Sequence, residues 1–120
     1  MGIAIARVTG IGRVFFRSDN PVALTPWYRT QLGIAAGHSP WAEAAGPTVF
    51  APFTADSDYF PASQQTMPNL RVDDLAGMIV SLTAAGISVE TPPEWDGAYG
   101  KFARISDPEG KAIELWQPPT

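Results

Sequence analysis

The apolar residues of the chain first gather at Ile11 and Val14-Phe15-Phe16, which reads as a strand over about Ile11 to Arg17. The period then changes. Asn20 is a suitable helix cap, and Pro21 fits the first helical position, where a missing N–H costs nothing. Leu24, Trp27, Tyr28 and Leu32 recur at helical spacing as one stripe for burial, and Gly33 stops the helix. Pro26 lies in the second turn and predicts a tight or kinked first half. Ile34 to Trp41 shows no deciding period. Gly46 to Phe53 reads as a strand through Val49, Phe50 and Phe53, and the polar stretch Thr54 to Thr66 as a connection.

A second round follows. Pro68 to Val72 predicts a strand, and Asp73-Asp74 opens a helix carrying Leu75, Met78, Ile79 and Leu82 on one face. Gly86 closes it. Ile87 to Glu90 reads as a short strand, and Thr91 to Gly100 as a loop exposing Trp95 and Tyr99. Strands at Phe102 to Ile105 and Ala112 to Gln117 flank Asp107-Pro108-Glu109-Gly110, whose proline and glycine suit a type I turn.

The two rounds share an order: strand, capped amphipathic helix, Gly-Ile, strands. The helices end at Leu32-Gly33-Ile34 and Ala85-Gly86-Ile87. Arg13 stands 20 residues before Gly33, and Met67 stands 19 before Gly86, so the register holds to about one residue. Counting from Gly46 and Gly110 pairs Phe50 with Glu114. The second half carries 11 extra residues in its Pro-rich loop. The expected fold class is α+β: two βαβββ modules forming a cupped mixed sheet around a cleft. One domain covers 1–120, with module one at about 8–53, a linker at 54–66 and module two at about 67–118. Neither half is large enough to fold stably by itself.

Composition narrows the classes. The 120 residues are 45% hydrophobic and 17% charged, an ordinary balance for a packed domain. There is no cysteine, which excludes thiol catalysis, disulfides and thiolate metal sites. A net charge of −4 with no Lys/Arg cluster disfavours nucleic acid and anionic membrane as partners. Met1 to Val8 lacks the form of a secretory signal, and no run reaches the length of a membrane span; the expected location is cytoplasmic.

Three stretches resemble the vicinal oxygen chelate superfamily of glyoxalases, bleomycin resistance proteins and extradiol dioxygenases. They are Val14-Phe15-Phe16-Arg17 through Pro26-Trp27-Tyr28-Arg29 to Leu32-Gly33, then Leu70-Arg71-Val72-Asp73-Asp74, and Asp107 through Trp116. The resemblance implies paired modules, usually in a homodimer. It also places metal ligands at four strand positions, held here by Arg13, Phe50, Met67 and Glu114. Arginine has no lone pair to offer, phenylalanine cannot ligate, and a thioether is soft for Zn, Ni, Mn or Fe. Only Glu114 suits a hard ion, so the expected cofactor is none.

Glu114 alternates with Ile113 and Leu115, and therefore shares a face with Ala112 and Trp116. In a cleft it would be a partly desolvated carboxylate able to act as a base; equally, it would be a structural ion pair with Arg13, Arg71 or Arg104. An inward arginine among Arg13, Arg17 and Arg71 would clamp an anion, whereas outward each would only cover the surface. His38, the single histidine, reads as a loop residue. The aromatics Trp41, Phe50, Phe53, Tyr59, Phe60, Trp95 and Tyr99 suit an apolar cleft or the packing of a core or dimer. Phe15, Phe16, Trp27 and Tyr28 are assigned to the core.

The expected ligand-binding set is Arg13, Trp41, Phe50, Tyr59, Met67, Trp95, Tyr99 and Glu114. The first functional reading is metal-independent binding of a small apolar or aromatic molecule. A metal-free isomerase or cyclase with Glu114 as base is the second, and a metal-dependent glyoxalase- or dioxygenase-type enzyme the third.

Overall fold

The structure is a computed structural model that describes residues 6–120; the first five residues of the Met1 to Val8 reading lie outside it. Helix α1 runs over Pro21–Leu32. Strand β1 covers Asn69–Arg71, helix α2 Leu75–Ala84, and a 3₁₀ turn Pro93–Trp95. Strands β2 (Lys101–Ser106) and β3 (Ala112–Gln117) form a hairpin. The sheet order is β1-β3-β2, with β1 parallel and β2 antiparallel to the central β3. The chain is thus a mixed α+β unit of three strands and two helices among the described residues.

Both helices begin and end as their sequences dictate. The Asn20 side chain accepts from Ala23 N, and that of Asp74 from Gly77 N, each satisfying a donor the first turn leaves free. Gly33 and Gly86 adopt φ of +69° and +82°, the left-handed region open to glycine. Pro26 interrupts no part of α1; it sits on the exposed side of a continuous helix, where water can serve the carbonyl its ring deprives.

Tertiary contacts add to these local signals. Glu109 accepts from Ser18 Oγ and from the backbone N–H of Asp19 and Asn20, so the β2–β3 turn caps α1 from 90 residues away. These bonds hold the exposed Glu109 carboxyl below the usual carboxylate range. Asp107, buried at the start of the same turn, accepts from Tyr28 Oη at 2.7 Å and from the N–H of Glu109 and Lys111. Burial first, and Asp107 second, push the Tyr28 phenol well above its ordinary value. At the other end of β3, Gln117 Oε1 accepts from Leu75 N and caps α2.

The core lies between the helices and one face of the sheet. Leu24 and Tyr28 from α1, Leu75 and Leu82 from α2, and Ala103, Ile105, Ile113 and Leu115 from the hairpin are all buried. Alternation along β2 and β3 sends Phe102, Arg104, Glu114 and Trp116 to the opposite face.

Several sequence expectations are corrected. No strand ladder forms over 11–17 or 46–53 among the described residues, so two complete βαβββ modules are not seen within this chain. A strand exists only where another strand meets its N–H and C=O groups. Lacking that partner, Phe15 and Phe50 are 79% and 89% exposed, and Phe16 is half-exposed beside Tyr28 instead of in the core. Of the strand expected at 87–90, one bridge to Arg104, made at Glu90, forms. Trp95, expected to be exposed, is half-buried.

Candidate functional site

Register builds the site. Glu114 occupies the middle of β3, opposite Asn69 of β1 on one side and Arg104 of β2 on the other. All three side chains therefore rise from the same face. Asn69 Nδ2 donates to Glu114 Oε1 at 2.7 Å, and Arg104 Nη2 stands 3.7 Å from Glu114 Oε2. Glu114 is 5% exposed, so its charge depends on these partners.

The segment 54–66, expected to be only a connection, supplies the roof. The Gln64 carboxamide donates to Ala112 O and accepts from Ala112 N, mimicking a strand partner at the start of β3. This anchorage brings Tyr59 over the sheet. Its hydroxyl donates to Glu114 Oε2, and its carbonyl accepts from Arg104 Nη1 at 2.7 Å. Desolvation, and then the bond to Glu114, push the Tyr59 phenol from 10.0 up to about 12.

Aromatic rings surround this polar centre. The Arg104 guanidinium carbon lies 4.9 Å from the Tyr59 ring centre and 5.0 Å from that of Trp95, within cation–π range of both. Phe53 stacks on Tyr59 at 5.4 Å and meets Phe60 edge-on. Farther along the hairpin, Phe102 and Trp116 stack at 6.2 Å, and Trp116 Nε1 donates to Tyr99 O. Arg71 crosses from β1 to the carbonyls of Ala44 and Pro47, tying the 44–47 stretch to the sheet. The arrangement offers a flat ligand ring faces, one cation, one anion and an amide.

Of the residues singled out in the sequence, the structure brings together Tyr59, Trp95 and Glu114. Tyr99 joins through its backbone carbonyl, while its ring is exposed. Met67 is half-buried ahead of β1. Arg13, Trp41 and Phe50 are exposed, and the ion partner of Glu114 is Arg104, not Arg13. Asn69 had not been singled out. The signal for Arg104 was present: counting outward from the Asp107–Gly110 turn sets 106 against 112 and hence 104 against 114. Among the described residues no group of three or more His, Asp or Glu side chains is placed to hold a metal ion.

Fold and site together define a small α+β domain whose sheet is packed by helices on one face and carries a polar, aromatic-walled centre on the other. Among solved structures it is similar to TnmS3, an antibiotic binding protein from Streptomyces sp. CB03234, with a TM-score of 0.50 and 27% identity over 80% of this chain and 84% of that one. That likeness supports a fold of the vicinal oxygen chelate kind. A glyoxalase/bleomycin resistance protein from the same organism aligns at 34% identity over 42% of each chain, with a TM-score of 0.38. No protein-family model and no curated protein matches the chain.

Proposed function

We propose that the chain binds a small, flat aromatic molecule on the face of its sheet opposite the helices, without a metal and without converting it. The observation that carries this reading is the cluster of Tyr59, Trp95 and Phe53 around the Arg104–Glu114 pair. Rings with a few convergent polar groups are what a binding site for such a molecule needs. The antibiotic-binding activity of TnmS3 supports the same class. Metal independence is supported by the surroundings of Glu114: Asn69 and Tyr59 already donate to its two oxygens, and a guanidinium stands beside them where a cation would have to sit. The same engagement of both oxygens disfavours Glu114 as a general base.

The test is a thermal-shift screen with planar polycyclic antibiotics, followed by mass analysis of the recovered ligand. A ligand at a hundredfold its Kd should add about 2.7 kcal/mol, raising Tm by roughly 10 °C for a domain of this size, and should return unchanged. A panel without any saturable shift, or a ligand recovered as product, sinks the reading.

The proposed unit is a homodimer in which a second copy completes the two-module sheet. Val14, Phe15, Val49 and Phe50 are exposed apolar residues in segments that lack strand partners among the described residues, and β1 is a short strand at the edge of the sheet. Such patches mark association surfaces. Light scattering should return twice the chain mass, and Phe50→Glu should return the single-chain mass. A wild-type chain that is monomeric at tens of micromolar refutes it.

A further inference from the structure

Arginine presents five N–H bonds in a planar fork and accepts none. In Arg104, Nη1 donates to Tyr59 O. Nε and Nη2 are buried and have no hydrogen-bond partner among the described residues. Glu114 Oε2, 3.7 Å from Nη2, is close enough to balance the charge and too far to accept the N–H. That oxygen is already engaged by the Tyr59 hydroxyl. The Nε–Nη2 edge is the side of the guanidinium that takes acceptors in pairs. It is left unmet where an unmet donor is costly.

Two rings flank the guanidinium, and its Nε–Nη2 edge is closed off from water. Tyr59 and Trp95 have centres 6.3 Å apart, each about as far from the guanidinium as the other, so they meet as a corner around it instead of sandwiching it. Tyr59 is pinned through its hydroxyl and its carbonyl. Trp95 is not. It sits on the three-residue turn Pro93–Trp95, is half-exposed, and its indole N–H has no hydrogen bond among the described residues.

Resting on the reading above, we propose that the Nε–Nη2 edge of Arg104 anchors the ligand through a neutral carbonyl oxygen borne on an aromatic ring, as in an aryl ketone or amide. The ring of the ligand takes the place that Trp95 holds. One carbonyl oxygen has two lone pairs and serves both N–H groups. A carboxylate suits the site less well. The charge of Arg104 is already balanced by Glu114, and a second carboxylate would stand against the first in a half-buried setting, where like charges repel strongly.

The experiment titrates the full chain by tryptophan fluorescence with three naphthalenes of matched size: 2-acetonaphthone, 2-ethylnaphthalene and 2-naphthoate. The ketone should bind about tenfold more tightly than the hydrocarbon, as one well-placed bond to a charged donor provides. The naphthoate should gain nothing over the hydrocarbon. Arg104→Met should erase the ketone's advantage, so that the ratio of the two affinities, whatever their common change, falls to about one. Arg104→Lys, which keeps the charge and loses the planar edge, should shrink the advantage and serves where the Met variant does not fold. Equal binding of ketone and hydrocarbon, a preference for naphthoate, or an advantage that survives in both variants overturns the anchor and leaves aromatic binding standing. Failure of all three naphthalenes to bind overturns the anchor together with the reading beneath it.

Discussion

Glu114→Ala is expected to destabilise the chain by about 3 kcal/mol, because it removes the carboxylate at the centre of the sheet and leaves three donors behind. Tyr59 Oη and Asn69 Nδ2 lose their acceptor, and Arg104 loses its counter-charge while its side chain stays 14% exposed. Glu114→Gln keeps the volume and one acceptor oxygen, and should cost about half as much. Chemical denaturation measures both. A second readout separates the site from general damage. Tyr59 ionises near 12 instead of 10.0, chiefly through desolvation and then through its bond to Glu114. Its folded pKa is raised, so its contribution to stability is whole below pH 10 and is lost as the pH rises from 10 to 12. In Glu114→Ala the late phenolate absorbance should move to lower pH, and Tyr59→Phe should remove it. A loss under 1 kcal/mol with an unchanged phenolate titration would show that the cluster contributes little.

Asp107→Ala should cost nearly as much, about 3 kcal/mol or roughly 10 °C in Tm for a domain of this size. Asp107 is buried and accepts three hydrogen bonds, one from the Tyr28 hydroxyl and two from the backbone of its own turn. Its loss frees the turn that carries Glu109, and with it the contacts of Glu109 to the start of α1. The damage should therefore reach a helix 79 residues away in sequence. Tyr28→Phe isolates one of the three bonds and should cost about 1 kcal/mol. Hydrogen exchange of the first turn of α1 should quicken in Asp107→Ala and not in Tyr28→Phe. Unchanged exchange there would mean that α1 is held by core packing alone.

Elements with local causes were legible. Helices α1 and α2 follow from Asn20, Pro21 and Gly33, and from Asp74 and Gly86, together with one apolar stripe each; the β2–β3 hairpin follows from Asp107-Pro108-Glu109-Gly110 between alternating runs. In each case the cap, turn or stripe lies within a few residues of what it specifies. The face shared by Glu114 and Trp116 was legible for the same reason, since alternation is a property of the strand itself.

The strands expected at 11–17 and 46–53 show the limit. Val14, Phe15, Val49 and Phe50 mark apolar segments, and an apolar segment does not name the strand that will pair with it. The site divides along the same line. By itself the sequence determined two capped helices, a tight hairpin, and a carboxylate and aromatics that suit a cleft. Only the tertiary structure decided that Arg104 and Asn69, not Arg13, flank Glu114, and that Gln64 folds the connecting segment back so that Tyr59 roofs them. The physical reason is range: caps, turns and alternation act over one or two turns of chain, while charge pairing and ladder bonding join whatever the fold brings within about 4 Å.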